Sequence, residues 1–118
     1  MNERHIEVSR WSERSSQPLT EARVRELYVP AWKYRVSAYR YPAGERVPGS
    51  MRACTCYVLA GACRYTSKAG EVDLRAGDVA RLPEGGFTLE AGPDEELHII
   101  KAWELPDEIA EAIRKGQE

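Results

Sequence analysis

The chain has 118 residues, enough for one hydrophobic core and too few for two domains of ordinary size, so a single domain over 1–118 is expected. Its 17 lysines and arginines are interleaved with 19 aspartates and glutamates, for a net charge of −2; without a basic stripe to neutralise phosphates, nucleic-acid binding is disfavoured. No apolar run approaches the ~20 residues that span a bilayer, and the opening residues are polar, without the apolar segment of a secretory signal. No membrane partner and a cytoplasmic location are the expectation.

Residues 1–17 are dense in charge and serine, with Ile6, Val8 and Trp11 as apolar anchors. They read as an edge strand or as a flexible arm. Thr20 then stands where an N-cap should, Glu21 suits the positive end of a helix dipole, and Val24, Leu27 and Tyr28 share one helical face until Pro30 stops it. From Trp32 the period changes to two, placing Tyr39 and Tyr41 on one side and Val36, Ala38 and Arg40 on the other. Pro42–Glu45 is a turn, and Val47-Pro48-Gly49-Ser50 reads as an irregular passage before a long strand over 52–60.

Short strands follow at 63–67, 71–74, 79–82 and 87–91, separated by Lys68-Ala69-Gly70, Ala76-Gly77-Asp78 and Pro83-Glu84-Gly85-Gly86. This spacing of strand and turn points to an antiparallel sandwich or small barrel. A last strand over 96–104 alternates Leu97, Ile99, Lys101 and Trp103 with His98, Ile100 and Ala102. The tail over 106–116 reads as a helix: proline opens it, acids fill the first turn, bases the last, and glycine closes it.

Two passages carry a resemblance. Tyr57-Val58-Leu59-Ala60-Gly61 resembles the end of the first motif of the cupin family, and Gly77-Asp78-Val79-Ala80-Arg81-Leu82-Pro83-Glu84-Gly85 the start of its second. The likeness covers 36–104. It implies an all-β double-stranded β-helix, a jelly-roll barrel, with a short helix before it and one after, and a homodimer, for which the strand from Trp32 to Tyr41 would be an edge. Cupins hold one metal ion on two histidines and a glutamate of the first motif and a histidine of the second. Counting from the glycines and proline, the glutamate position falls on Cys54, the first two histidine positions fall within 47–50, and the last on Thr88, so the usual ligands are absent.

If Cys54 faces inward, alternation sends Arg52, Cys56 and Val58 with it, and Thr88 and Glu90 inward from the later strand. Such an interior would suit a small organic ligand, with an anion clamped by Arg52 and Tyr39 and Tyr41 at the mouth. The first expectation is therefore a small-molecule-binding barrel without a His-ligated metal or other cofactor. The second is a metal-independent isomerase, epimerase or lyase moving protons with Glu90 or His98. The third rests on the three cysteines, an odd number that argues against a stapled secreted scaffold. Cys54, Cys56 and Cys63, with His98 as a fourth ligand, could hold a thiolate-bound transition metal or include a nucleophilic cysteine activated by Arg52; buried structural thiols are the stronger reading.

Overall fold

The computed structural model describes residues 6–116. Its strands are β1 (Glu7–Arg10), β2 (Tyr34–Tyr41), β3 (Arg46–Met51), β4 (Cys54–Ala60), β5 (Ala62–Ser67), β6 (Gly70–Arg75), β7 (Asp78–Leu82), β8 (Gly85–Ala91) and β9 (Leu97–Glu104). Helix α1 (Glu21–Glu26) precedes β2 and α2 (Asp107–Gly116) follows β9. Two antiparallel sheets face each other: one of five strands in the order β1-β7-β4-β9-β2, one of four in the order β3-β8-β5-β6. The all-β barrel with a helix near each end is the architecture expected from the sequence. Residues 1–5 of the expected arm lie outside those described, and Glu7–Arg10 of it form an edge strand on β7.

Local chemistry accounts for the ends of the elements. Thr20 Oγ1 accepts the Arg23 N–H at 3.1 Å, capping α1, and α2 carries Asp107 and Glu108 in its first turn and Arg114 and Lys115 in its last. Gly61 joins β4 to β5 at φ +82°, where a Cβ would meet the Glu96 carbonyl oxygen at 2.5 Å. Buried Asp78 accepts Arg10 Nη1 at 2.6 Å and the Arg75 N–H at 2.9 Å, tying β1 and the β6–β7 turn together.

The passage read as irregular over 47–50 is strand β3. It pairs with β8 alone among the described strands, and an edge strand tolerates Pro48 because the missing N–H has no ladder bond to make. Gly49 is fitted to its opposite residue, Phe87: a Cβ there would lie 2.9 Å from Phe87 Cζ. The long strand expected from Arg52 begins only at Cys54, and Arg52 stands exposed in the bend before it.

Alternation divides the apolar residues between two clusters. Between the sheets lie Cys54, Cys56, Val58, Cys63, Tyr65, Leu74, Ala80, Leu82, Leu89, Ala91, Leu97 and Ile99, with Tyr39, Tyr41, Met51, Phe87 and Trp103 packed against them. On the outer face of the five-stranded sheet, Tyr57, Val79, Ile100 and Ala102 are covered by Trp11, Leu19, Val24 and Tyr28 of the N-terminal segment. Trp11 meets Tyr57 edge-on at 6.2 Å and donates its indole N–H to the Gln17 carbonyl at 2.7 Å. The outer face of the four-stranded sheet is polar, with Arg64 paired to Asp73 at 2.8 Å. Among the described residues no helix is long and apolar enough to cross a membrane.

Candidate functional site

β9 sends Leu97, Ile99, Lys101 and Trp103 into the space between the sheets. The first two belong to its apolar cluster and Trp103 packs on it. Lys101 shares that face and is only 5% exposed. Its ammonium lies 4.5 Å from the Phe87 ring centroid, 5.4 Å from that of Tyr39, and 3.4 Å from Met51 Sδ. Aromatic faces attract a cation and a thioether accepts a hydrogen bond weakly. None of the ion pairs among the described residues includes Lys101, so its charge is buried without a carboxylate to oppose it.

The neighbouring groups are protonated donors. Burial pushes the Cys54 thiol up to about 11, with the Lys101 ammonium pulling it partly back. Cys63 is likewise raised to about 11, and Cys56 is raised by burial and by the adjacent Cys54. Tyr65 is fully buried, stacked on Phe87 at 5.3 Å, and its hydroxyl has no hydrogen-bond partner among the described residues. Its pKa is raised by burial first and then by Cys54 and Cys56; the Phe87 ring it stacks on is the one that Lys101 Nζ faces at 4.5 Å. Thiols held this high are poor nucleophiles near neutral pH, so the low-pKa cysteine beside Arg52 is not what the fold builds.

A recess of about 910 Å³ opens at one end of the barrel, bordered by Cys54, Leu82 and Trp103 from the interior and by Lys68, Glu84 and Gly85 of the loops. Cys54 Sγ sits 3.7 Å from Met51 Sδ, which touches Lys101. Cys54 thus connects the wall of the recess to Met51, and Met51 to the ammonium.

Of the residues singled out in the sequence, Tyr39, Tyr41, Cys54 and Cys56 are brought together on the inner wall, the two tyrosines stacked at 6.3 Å. Cys63 faces inward from β5. Arg52 does not join them. Thr88 and Glu90 occupy the outer face of β8, because Phe87, Leu89 and Ala91 take the inner one; Glu90 is exposed opposite Arg46 and Arg64. One residue of register exchanges the faces, and burial of phenylalanine and leucine outweighs that of threonine and glutamate. His98, opposite Arg40 and Ala60, faces away from Lys101 and the thiols, so neither of the expected proton-transfer residues, Glu90 or His98, lines the interior. Lys101, Met51, Tyr65 and Phe87 were not singled out. The signal for Lys101 was present in a lysine sharing a strand face with Leu97, Ile99 and Trp103.

Neither a family model nor a curated protein matches the sequence. Solved structures do match. A cupin protein from Bacteroides fragilis aligns at TM-score 0.52 and 21% identity over 64% of this chain and 67% of its own. A DUF861-family protein from Thermotoga maritima aligns at 0.54 and 16%, over 86% of this chain and 100% of that one. The fold is that of the cupins. A salicylate 1,2-dioxygenase from Pseudoaminobacter salicylatoxidans, in adducts with gentisate, shares this fold at TM-score 0.53 and 19% identity over 70% of this chain and 22% of the dioxygenase.

The inner wall of this cupin fold does not suit the His-and-Glu-bound ion that the resemblance brings to mind. It presents thiols, a thioether, phenols and an ammonium, and the buried carboxylate, Asp78, is occupied by Arg10 and the Arg75 N–H. A hard or borderline divalent ion prefers imidazole and carboxylate, and a neighbouring ammonium repels it. Among the described residues no three His, Cys, Asp or Glu side chains are grouped to hold a metal, and His98 is turned away from Cys54, Cys56 and Cys63.

Proposed function

We propose that this cupin-fold chain is a binding module for a small organic molecule, which enters at the end of the barrel bordered by Cys54, Leu82 and Trp103 and is held by interior side chains rather than by a His-ligated ion. The observation that carries the reading is a pair of poorly matched polar groups buried between the sheets, the Lys101 ammonium, met by a thioether and two ring faces, and the Tyr65 hydroxyl, unpartnered among the described residues, with a recess of about 910 Å³ at the end of the barrel. Packed cores avoid such groups, whereas ligand sites keep a few polar anchors in apolar walls. The gentisate in the dioxygenase supports a small organic occupant for the fold. A fragment library screened by ligand-observed NMR tests the reading: hits are expected on the wild type and should be lost in Leu82→Trp, which fills the recess. A screen without hits, or hits indifferent to Leu82→Trp, counts against it.

A further inference from the structure

Among the described residues, Lys101 is a cation of the barrel interior whose electrostatics are left open. Lys101 Nζ has two rings and a sulfur around it, and none of the ion pairs among the described residues includes it. A buried ammonium lacks two things: an opposing negative charge and strong acceptors for its three N–H bonds. The Tyr65 hydroxyl, fully buried on a ring stacked against the same Phe87 that faces Lys101, is a donor without an acceptor among the described residues. Both groups ask for the same complement, an anion with more than one acceptor oxygen.

Resting on the binding reading above, we infer that the ligand is a small organic acid, and that its carboxylate takes the place of the Met51 thioether at Lys101, with Tyr65 donating to one of its oxygens. Met51 suits this exchange. It is the last residue of edge strand β3, followed by the exposed Arg52 and Ala53, and its side chain lies between Cys54, which borders the recess, and the ammonium. An unbranched thioether turns about three bonds at little cost and gives up only a weak acceptor contact. A carboxylate arriving from the recess returns a charge-assisted hydrogen bond in its place. Phe87, braced by Tyr65 and accommodated by Gly49, and Tyr39 then form the apolar wall for the body of the acid.

The test titrates benzoate, phenylacetate and hexanoate, each beside its primary amide, into the wild-type protein and into Lys101→Met and Met51→Ala variants, with affinities measured by calorimetry or protein-observed NMR. At least one acid is expected to bind the wild type at least tenfold more tightly than its amide. Lys101→Met should erase that preference, bringing acid and amide to equal affinity, and Met51→Ala should strengthen acid binding and keep the preference. An amide equal to its acid, or an acid whose affinity survives Lys101→Met, overturns the carboxylate pairing and leaves the binding module standing. Acids bound no better by Met51→Ala remove Met51 from the exchange. Failure of all six probes also overturns the inference, and the fragment screen then decides the broader reading separately.

Discussion

Lys101 keeps its ammonium from water with only rings and a thioether around it, an arrangement that subtracts from folding stability. Lys101→Met retains most of the stem and removes the charge. Urea unfolding at neutral pH is expected to show the variant roughly 1–3 kcal/mol more stable than wild type, as when a group kept for binding is removed. A loss of similar size would mean that the contacts with Phe87 and Tyr39 outweigh desolvation. The buried thiols have their own signature. Cys54 and Cys63 titrate near 11 in the fold against an ordinary 9.0, and Cys56 is shifted the same way. The unfolded chain then releases these protons first as pH rises. The contribution of Cys54 and Cys63 is complete below pH 9 and is lost on the way to 11, by on the order of 1 kcal/mol per pH unit for each of the two. Urea midpoints that stay level across that window would contradict the placement of the cysteines, as would rapid alkylation of the folded protein at neutral pH.

The elements differ in how plainly the sequence announced them. Both helices were legible because caps and dipole charges are local: Thr20 before α1, and acids and bases at the ends of α2, need no knowledge of the rest of the fold. Strand β3 was hidden because Pro48-Gly49 has the composition of a turn, and only its position at a sheet edge opposite Phe87 makes it a strand. The face of β8 was misassigned for a related reason. Counting from Pro83 and Gly85 points to Thr88 and alternation takes Glu90 with it, whereas the two large apolar side chains Phe87 and Leu89 decide which face is buried. Gly49→Ala tests this pairing directly. The added methyl would meet Phe87 Cζ at 2.9 Å, and the ring is braced behind by Tyr65. A loss of about 1–3 kcal/mol is expected in thermal or urea unfolding. An unchanged or raised stability would show that the ring yields freely and is not a fixed wall of the interior.

At the scale of the whole molecule, the two faces of the five-stranded sheet serve different ends. The outer one is closed by Trp11, Val24 and Tyr28 into a second apolar cluster whose Tyr28 and Tyr57 hydroxyls bond each other, whereas the Lys101 ammonium and the Tyr65 hydroxyl lie between the sheets. The barrel and its two motif turns were readable from the glycine and proline spacing. Most of the interior chemistry was not, because it depends on side chains from β3, β5, β8 and β9 meeting across the two sheets, and Lys101 is remote in sequence from Met51 and Tyr65. The central claim is that a small organic molecule occupies this space and is anchored by Lys101. Native mass spectrometry of freshly purified wild type and Lys101→Met tests it most directly. The account predicts a small-molecule adduct, releasable on unfolding, on the wild type and its loss from the variant; equal adducts on both proteins, or none on the wild type, would contradict it.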